Sequence, residues 1–205
     1  MSISEVAFGE PAVRRVPARR EAGDPESPDL EAAAAAVTDL LLALGRDPFT
    51  PHLARTPHRV AQALIELLTP EDFTMTTFPN EAGYDDLVVV SGIPFSSLCE
   101  HHLLPFRGTA RIGYLPGNRL VGLSKLPRTL EHFARDLQVQ ERLTQQVADC
   151  LEANLLPRGV GVVLEAEHLC MSLRGVQSAG SLTTTTALRG EIRDDPRVRE
   201  QFLGK

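Results

Sequence analysis

Cys99, Glu100, His101 and His102 form the densest run of metal-capable side chains in the sequence. Thiolate and imidazole both suit zinc, at ~2.0 to 2.3 Å from the metal and under ~4 Å from each other. Residues three apart in an extended strand lie ~10 Å apart, so Cys99 and His102 share a metal only if this segment turns. Pro94 and Pro105 bracket it, which suits an excursion between extended pieces. Taken alone, a Cys-x-x-His pair reads equally well as a buried thiol beside two polar loop histidines. A third donor has to come from elsewhere. Residues 165–170 (EAEHLC), read as a strand, put His168 and Cys170 on one face about 7 Å apart, so that one binds metal while the other waits beside it. Cys150 instead shares a helical stripe with Leu143, Val147, Leu151 and Leu155 and reads as a core thiol.

Three ligands, Cys99, His102 and Cys170, leave a fourth zinc position open, which is where water is held and acidified. A closed set of four would only hold structure, and Cys150 is the remaining thiol for that alternative. His101 and His168 then stand beside the metal as candidate proton carriers, against the plainer reading of imidazoles that orient a ligand. His52, His58 and His132 have no such setting and read as surface or packing residues. Ser124, Lys125 and Arg128 fall at the predicted start of a long helix, where free N–H groups and the macrodipole favour an anion. Lys125 and Arg128 are three apart and can face one phosphate chain; in isolation they read as solvated surface charge. Arg174 keeps the even parity of His168 and Cys170, so one sheet face is expected to carry metal, proton carrier and cation in sequence. Glu141 supplies a carboxylate able to accept from both the ring N–H and the exocyclic amine of guanine.

These side chains need a frame. Ser27-Pro28 is the expected cap and first turn of an Ala/Leu-rich helix ended by Gly45, and Thr56-Pro57 starts a second that stops at Pro70. After a loop containing Pro79, Asn80 and Gly83, residues 87–90 read as a strand. Residues 109–114 and 119–123 flank Pro116-Gly117-Asn118 and predict an antiparallel hairpin. A helical stretch over 125–155 with a break near Gln138 follows, then strands over 160–173 and 182–192. Hairpin-joined strands rather than βαβ units predict an α+β fold with an antiparallel sheet.

The 205 residues suffice for one domain with an extension, and 42% hydrophobic against 23% charged residues exclude disorder throughout. With Lys+Arg 21 and Asp+Glu 27, the net charge of −6 argues against a nucleic-acid partner, so any anion site is local. The most apolar stretch, residues 32–44, is broken by Thr38 and Asp39, so no membrane span is expected. Without an apolar h-region near the start, a cytoplasmic chain is expected, where three cysteines do not make a disulfide framework.

At residues 98–102 (LCEHH), 122–126 (GLSKL), 138–145 (QVQERLTQ), 168–170 (HLC) and 174–177 (RGVQ) the sequence resembles GTP cyclohydrolase I, in the family's order and over about residues 55–203. The resemblance implies zinc-dependent hydrolytic opening of the guanine imidazole ring of GTP, loss of C8 as formate, and rearrangement to 7,8-dihydroneopterin triphosphate, a first step toward tetrahydrofolate or pterins. It implies zinc on Cys99, His102 and Cys170, proton transfer by His168 and His101, and a guanine edge anchored by Glu141 with Gln140 nearby. Ser124, Lys125, Arg128, Arg174 and Arg59 would meet the ribose and triphosphate. It further implies a tunnelling fold: a four-stranded antiparallel sheet with a helical pair and an N-terminal helical extension. Subunits close a β-barrel, and two pentamers stack into a homodecamer with active sites between subunits. The expected divisions are a flexible tail over 1–28, a helical segment over 29–85 and a catalytic domain over 86–205. One departure is specific: a Lys often sits three residues after the Arg59 position and helps bind triphosphate, and here it is Gln62. Ser178-Ala179 also stand where Lys-Pro is often seen, and Pro127 replaces a small helix former, which a first turn tolerates.

Overall fold

In the computed structural model, residues 12–16 and 27–204 are described. Their elements run β1 (Ala12–Val16), α1 (Leu30–Ala43), α2 (Thr56–Leu68), β2 (Phe73–Pro79), β3 (Val88–Cys99), β4 (Pro105–Leu115), β5 (Arg119–Val121), α3 (Lys125–Ala134), β6 (Leu137–Gln138), α4 (Gln140–Leu155), β7 (Gly159–His168), α5 (Leu169–Ser172), β8 (Thr183–Arg189), α6 (Gly190–Asp194) and α7 (Pro196–Leu203). The class is α+β. The main sheet has the order β6-β3-β4-β7-β8, its last four strands antiparallel, and a smaller sheet has the order β1-β2-β5.

Helix signals in the sequence act much as expected. The α1 cap is Asp29, whose side chain accepts from the Ala32 N–H, rather than Ser27 two residues earlier. Thr56 and Pro57 open α2, and the chain leaves it at Thr69 before Pro70. The long helical stretch divides where expected. Between α3 and α4 the chain straightens into β6, which pairs in parallel with the end of β3 through Leu98↔Leu137 and Cys99↔Gln138. Ser97 Oγ donates to the Ala134 carbonyl at 2.7 Å, and the Gln138 amide donates to the Phe133 carbonyl at 2.8 Å, so carbonyls freed at the end of α3 keep partners.

Strand partners differ from the sequence expectation in three places. Residues 119–121 do not fold back on β4; β5 pairs with β2, which forms where the sequence predicts only a loop, through Thr77↔Val121 and Pro79↔Arg119. The Pro116-Gly117-Asn118 turn is instead held across the sheets, where the Asn80 side-chain amide donates to the Gly117 carbonyl at 2.9 Å. The main sheet has a fifth member, the two-residue β6, beyond the four expected. Within the segment expected to be a tail, residues 12–16 form β1 against β2, because its backbone groups complete the free edge of β2 and Val16 is buried. The rest of that tail lies outside the described residues.

The core lies between the main sheet and the α3–α4 pair, where Phe106, Ile112, Leu126, Leu143, Leu151, Val162 and Leu164 are fully buried. Strand alternation sends the other face of β7 toward α6 and α7, where Ile192 and Phe202 fill a second cluster. Gly161 makes that possible: a Cβ there would sit 2.6 Å from the Phe202 ring. At the opposite end of the same strand pair, a Cβ on Gly108 would meet the Glu165 carbonyl at 1.8 Å, so glycine lets β4 and β7 close beside the end that carries the ligand-capable residues.

Candidate metal centre

One end of the main sheet collects the chemistry. β3 finishes at Cys99, and six residues, 99–104, turn the chain into β4, with the Cys99 N–H donating to the Leu104 carbonyl at 2.9 Å and the Leu103 N–H to the Cys99 carbonyl at 2.9 Å. Leu103 takes a left-handed conformation, φ 54°, to complete it. The turn required by the Cys99/His102 spacing is therefore present. It brings the His102 Nδ1 to 3.8 Å and the His101 Nδ1 to 3.7 Å from the Cys99 sulfur.

β7 ends beside this turn because Phe106, the second residue of β4, is in register with His168. Here the expectation of a strand through 173 fails. Ladder pairing with β8 reaches only Ala166↔Thr183, and after His168 the chain winds into the single turn of α5. His168, Cys170 and Arg174 therefore do not share a sheet face by parity. The helical turn achieves more than the parity would have, since it swings Cys170 back toward Cys99. The donor atoms of Cys99, His102 and Cys170 all lie within 4.8 Å of one another. Cys99 and Cys170 are buried, free thiols. Burial first, then the neighbouring Cys99, pushes the Cys170 thiol up, and Arg174 pulls it the other way. Two sulfurs and an imidazole converging at that separation form a donor set that fits a tetrahedral zinc ion with one position left over. Cys150 lies outside the group: it packs against the core, donates nothing to the cluster, and burial pushes its thiol up to about 11.

His168 stacks on Phe106 with ring centroids 4.7 Å apart and planes 2° apart, and its Nε2 lies 2.8 Å from the Gln140 side-chain oxygen. Burial holds its imidazole below the ordinary range, while the charge of Glu141 acts in the opposite direction. Glu141 itself is exposed in the first turn of α4, and Gln140 beside it is 1% exposed. Ser124, Lys125 and Arg128 open α3 as expected, with Pro127 in the first turn and the Lys125 N–H donating to the Gly122 carbonyl at 2.8 Å. Among the described residues, no hydrogen bond or ion pair joins the side chains of Ser124, Lys125, Arg128, Arg174 or Arg59 to the cluster, and Arg59 stands exposed on α2. His132 is buried against Phe73 and bonded to the Glu71 carbonyl at 2.9 Å, a packing residue.

Two residues to which the sequence assigns no role belong to this end of the sheet. Arg142 on α4 donates to Glu100 Oε2 at 2.6 Å, to the Leu137 carbonyl at 2.6 Å and to Gln138 Oε1 at 3.0 Å. Glu100 also stands 3.8 Å from the His101 Nε2. The carboxylate between Cys99 and His101 was the signal available, and its partner 42 residues away was not.

A sheet end that presents two thiols and an imidazole to one point, with a second imidazole alongside, is the equipment of a metal-assisted hydrolase. The comparisons narrow the class. The family model for GTP cyclohydrolase I matches residues 33–205, and the chain belongs to that family. It is 51% identical to the GTP cyclohydrolase 1 of Aquifex aeolicus (strain VF5) over 175 residues, covering 85% of this chain and 95% of that protein. It is 49% identical over 183 residues to the GTP cyclohydrolase 1 of Mycobacterium leprae (strain Br4923), covering 86% and 88%, and 47% identical over 183 residues to that of Brucella canis (strain ATCC 23365 / NCTC 10854 / RM-666), covering 87% and 86%.

Proposed function

We propose that this chain is a GTP cyclohydrolase that opens the imidazole ring of the guanine of GTP, releases C8 as formate and rearranges the remainder to 7,8-dihydroneopterin triphosphate. The observation that carries the reading is the convergence of Cys99, His102 and Cys170 donor atoms within 4.8 Å from two separate stretches of chain. Those residues would hold zinc, which when bound supplies a Lewis acid that activates water for attack on the base. Glu141, exposed at the start of α4 and near His168, accepts from the guanine ring N–H and exocyclic amine. His168 exchanges a proton with the purine imidazole nitrogen as the ring opens, and the more exposed His101 serves the later ribose steps. Ser124, Lys125 and Arg128 at the start of α3, with Arg174 and Arg59, receive the ribose and triphosphate. The subunits assemble as a homodecamer of two pentamers, which supplies the cationic groups that the single chain leaves apart from the cluster.

The test is incubation of zinc-replete protein with GTP while formate and pterin fluorescence are followed. Stoichiometric formate and a fluorescent pterin are expected; neither product from a metal-loaded preparation sinks the reading. A second reading, action on another purine nucleotide, is favoured by Gln62, whose amide is bonded to Glu66 at 3.0 Å in place of a free cation. Product masses across a nucleotide panel separate the two.

A further inference from the structure

Gln140 is the most committed polar side chain near the metal centre. Its amide nitrogen lies 3.1 Å from the Leu164 carbonyl, 2.9 Å from the Thr183 carbonyl and 3.1 Å from Thr185 Oγ1. Two of those partners are backbone acceptors and nothing else. Turning the amide around would set its oxygen against two carbonyl oxygens and strip both of a donor in a site with almost no access to water, so the orientation is settled by chemistry. The amide oxygen therefore faces His168, 2.8 Å from Nε2. An amide oxygen only accepts, so Nε2 must carry hydrogen. A neutral imidazole has one N–H, and the lone pair is left on Nδ1. The stack on Phe106, itself fully buried, fixes the plane of the same ring. Stacking sets the plane but permits a half-turn of the ring, and the Gln140 bond removes that freedom.

We propose that Gln140 is a positioning residue that holds His168 as the Nε2–H tautomer, so that the proton exchanged with substrate passes through Nδ1, and that Gln140 makes no side-chain contact with the guanine. Nδ1 takes a proton to form the imidazolium while Nε2–H stays bonded to Gln140, and returns it through the same atom, so the bond to Gln140 persists through the cycle. Glutamine is required at this position. Glutamate would accept from His168 but leave the Leu164 and Thr183 carbonyls facing a carboxylate, and asparagine is one methylene too short to span both sets of partners. Glu141, the next residue, faces outward at the same helix start and is free for the base. The role of the proton rests on the cyclohydrolase reading; the tautomer does not.

The tautomer is read first, on zinc-loaded wild-type protein labelled with ¹⁵N-histidine, by solid-state NMR without substrate, with the His168 signals identified by their loss in His168→Ala. A protonated Nε2 and unprotonated Nδ1 are expected, and the reverse assignment overturns the proposal whatever the enzyme's substrate. In the kinetic arm, Gln140→Met is expected to lower kcat for GTP roughly 10- to 100-fold with KM changed less than about 3-fold, a share of the usual general acid–base contribution. A raised KM with kcat retained makes Gln140 a substrate contact and overturns it. In a His168→Ala background Gln140→Met is expected to cost nothing further, since the two act as one unit; a full second loss overturns it. Thr185→Val, which leaves two acceptors for two amide hydrogens, is expected to keep kcat within about 2-fold. If Gln140→Met fails to fold, the wild-type tautomer still decides.

Discussion

At the residue scale the geometry alone separates candidate ligands from their neighbours. His101 and His102 are adjacent and both approach the Cys99 sulfur, yet His102 is the one whose ring nitrogen joins the group with Cys170. His102→Ala is therefore expected to lose bound zinc, measured by elemental analysis of dialysed protein. His168→Ala is expected to keep stoichiometric zinc while losing about 10²-fold or more of ring opening, the usual size of a proton-transfer contribution; metal loss would make His168 a ligand. Cys150→Ser is expected to retain both metal and activity, because Cys150 packs from α4 against the core, outside the donor group, where burial pushes its thiol up to about 11 and the Asn154 amide bonds to it. Much of this was legible from residue types, since Cys99, His102 and Cys170 stand out as donors in a chain with three cysteines and six histidines. The Glu100–Arg142 ion pair was not, because nothing local in either residue says that α4 crosses the turn.

At the element scale, strand lengths and stops decide the site. The reading of residues 160–173 as one strand followed from its β-branched and alternating start, but a strand persists only while it has a neighbour, and β8 pairs no further than Ala166. The hairpin expectation failed for a related reason: turn composition predicts that the chain reverses and cannot say which strand it meets, and the β2 edge was the one free to pair with β5. The docking of α6 and α7 on the back of the sheet is open to measurement. Phe202→Ala is expected to cost about 3–5 kcal/mol in denaturant unfolding, as for other buried aromatics. Arg158 grips Glu191 through two bonds of 2.8 and 2.6 Å and holds the start of α6, keeping the Glu191 carboxyl below its ordinary value near 4.5. A depressed carboxyl contributes stability above its unfolded value and loses it as pH falls through the folded one. The melting-temperature gap between wild type and Glu191→Gln is thus expected to be small at pH 7, because the pair is half exposed, and to close below about pH 4.5.

At the scale of the whole molecule, the N-terminal helices α1 and α2 leave apolar side chains uncovered by their own chain. α1 packs chiefly on α2, and Leu40, Leu42, Leu44 and Phe49 remain exposed. β8 forms an outer edge of the main sheet, with Thr184 and Thr186 exposed. Apolar helix faces and an open sheet edge are what assembly covers. The proposed decamer predicts a native mass ten times the 22.4 kDa of the chain by light scattering, and a monomer that turns over GTP at full rate would overturn it.

The sequence by itself determined which atoms are available: two sulfurs and an imidazole with metal affinity, a carboxylate at a helix start, a second helix start rich in cations, and no long apolar run. Those are properties of side chains and of spacing along the chain, and they survive without a fold. What only the tertiary structure decided is which of them meet. Cys99 and Cys170 are 71 residues apart in the chain, and they converge because the β3–β4 turn and the β4–β7 register end at the same edge. Gln140 faces inward and Glu141 outward because successive residues of a helix point about 100° apart, and only the placement of α4 against β7 and β8 makes one of those directions the interior.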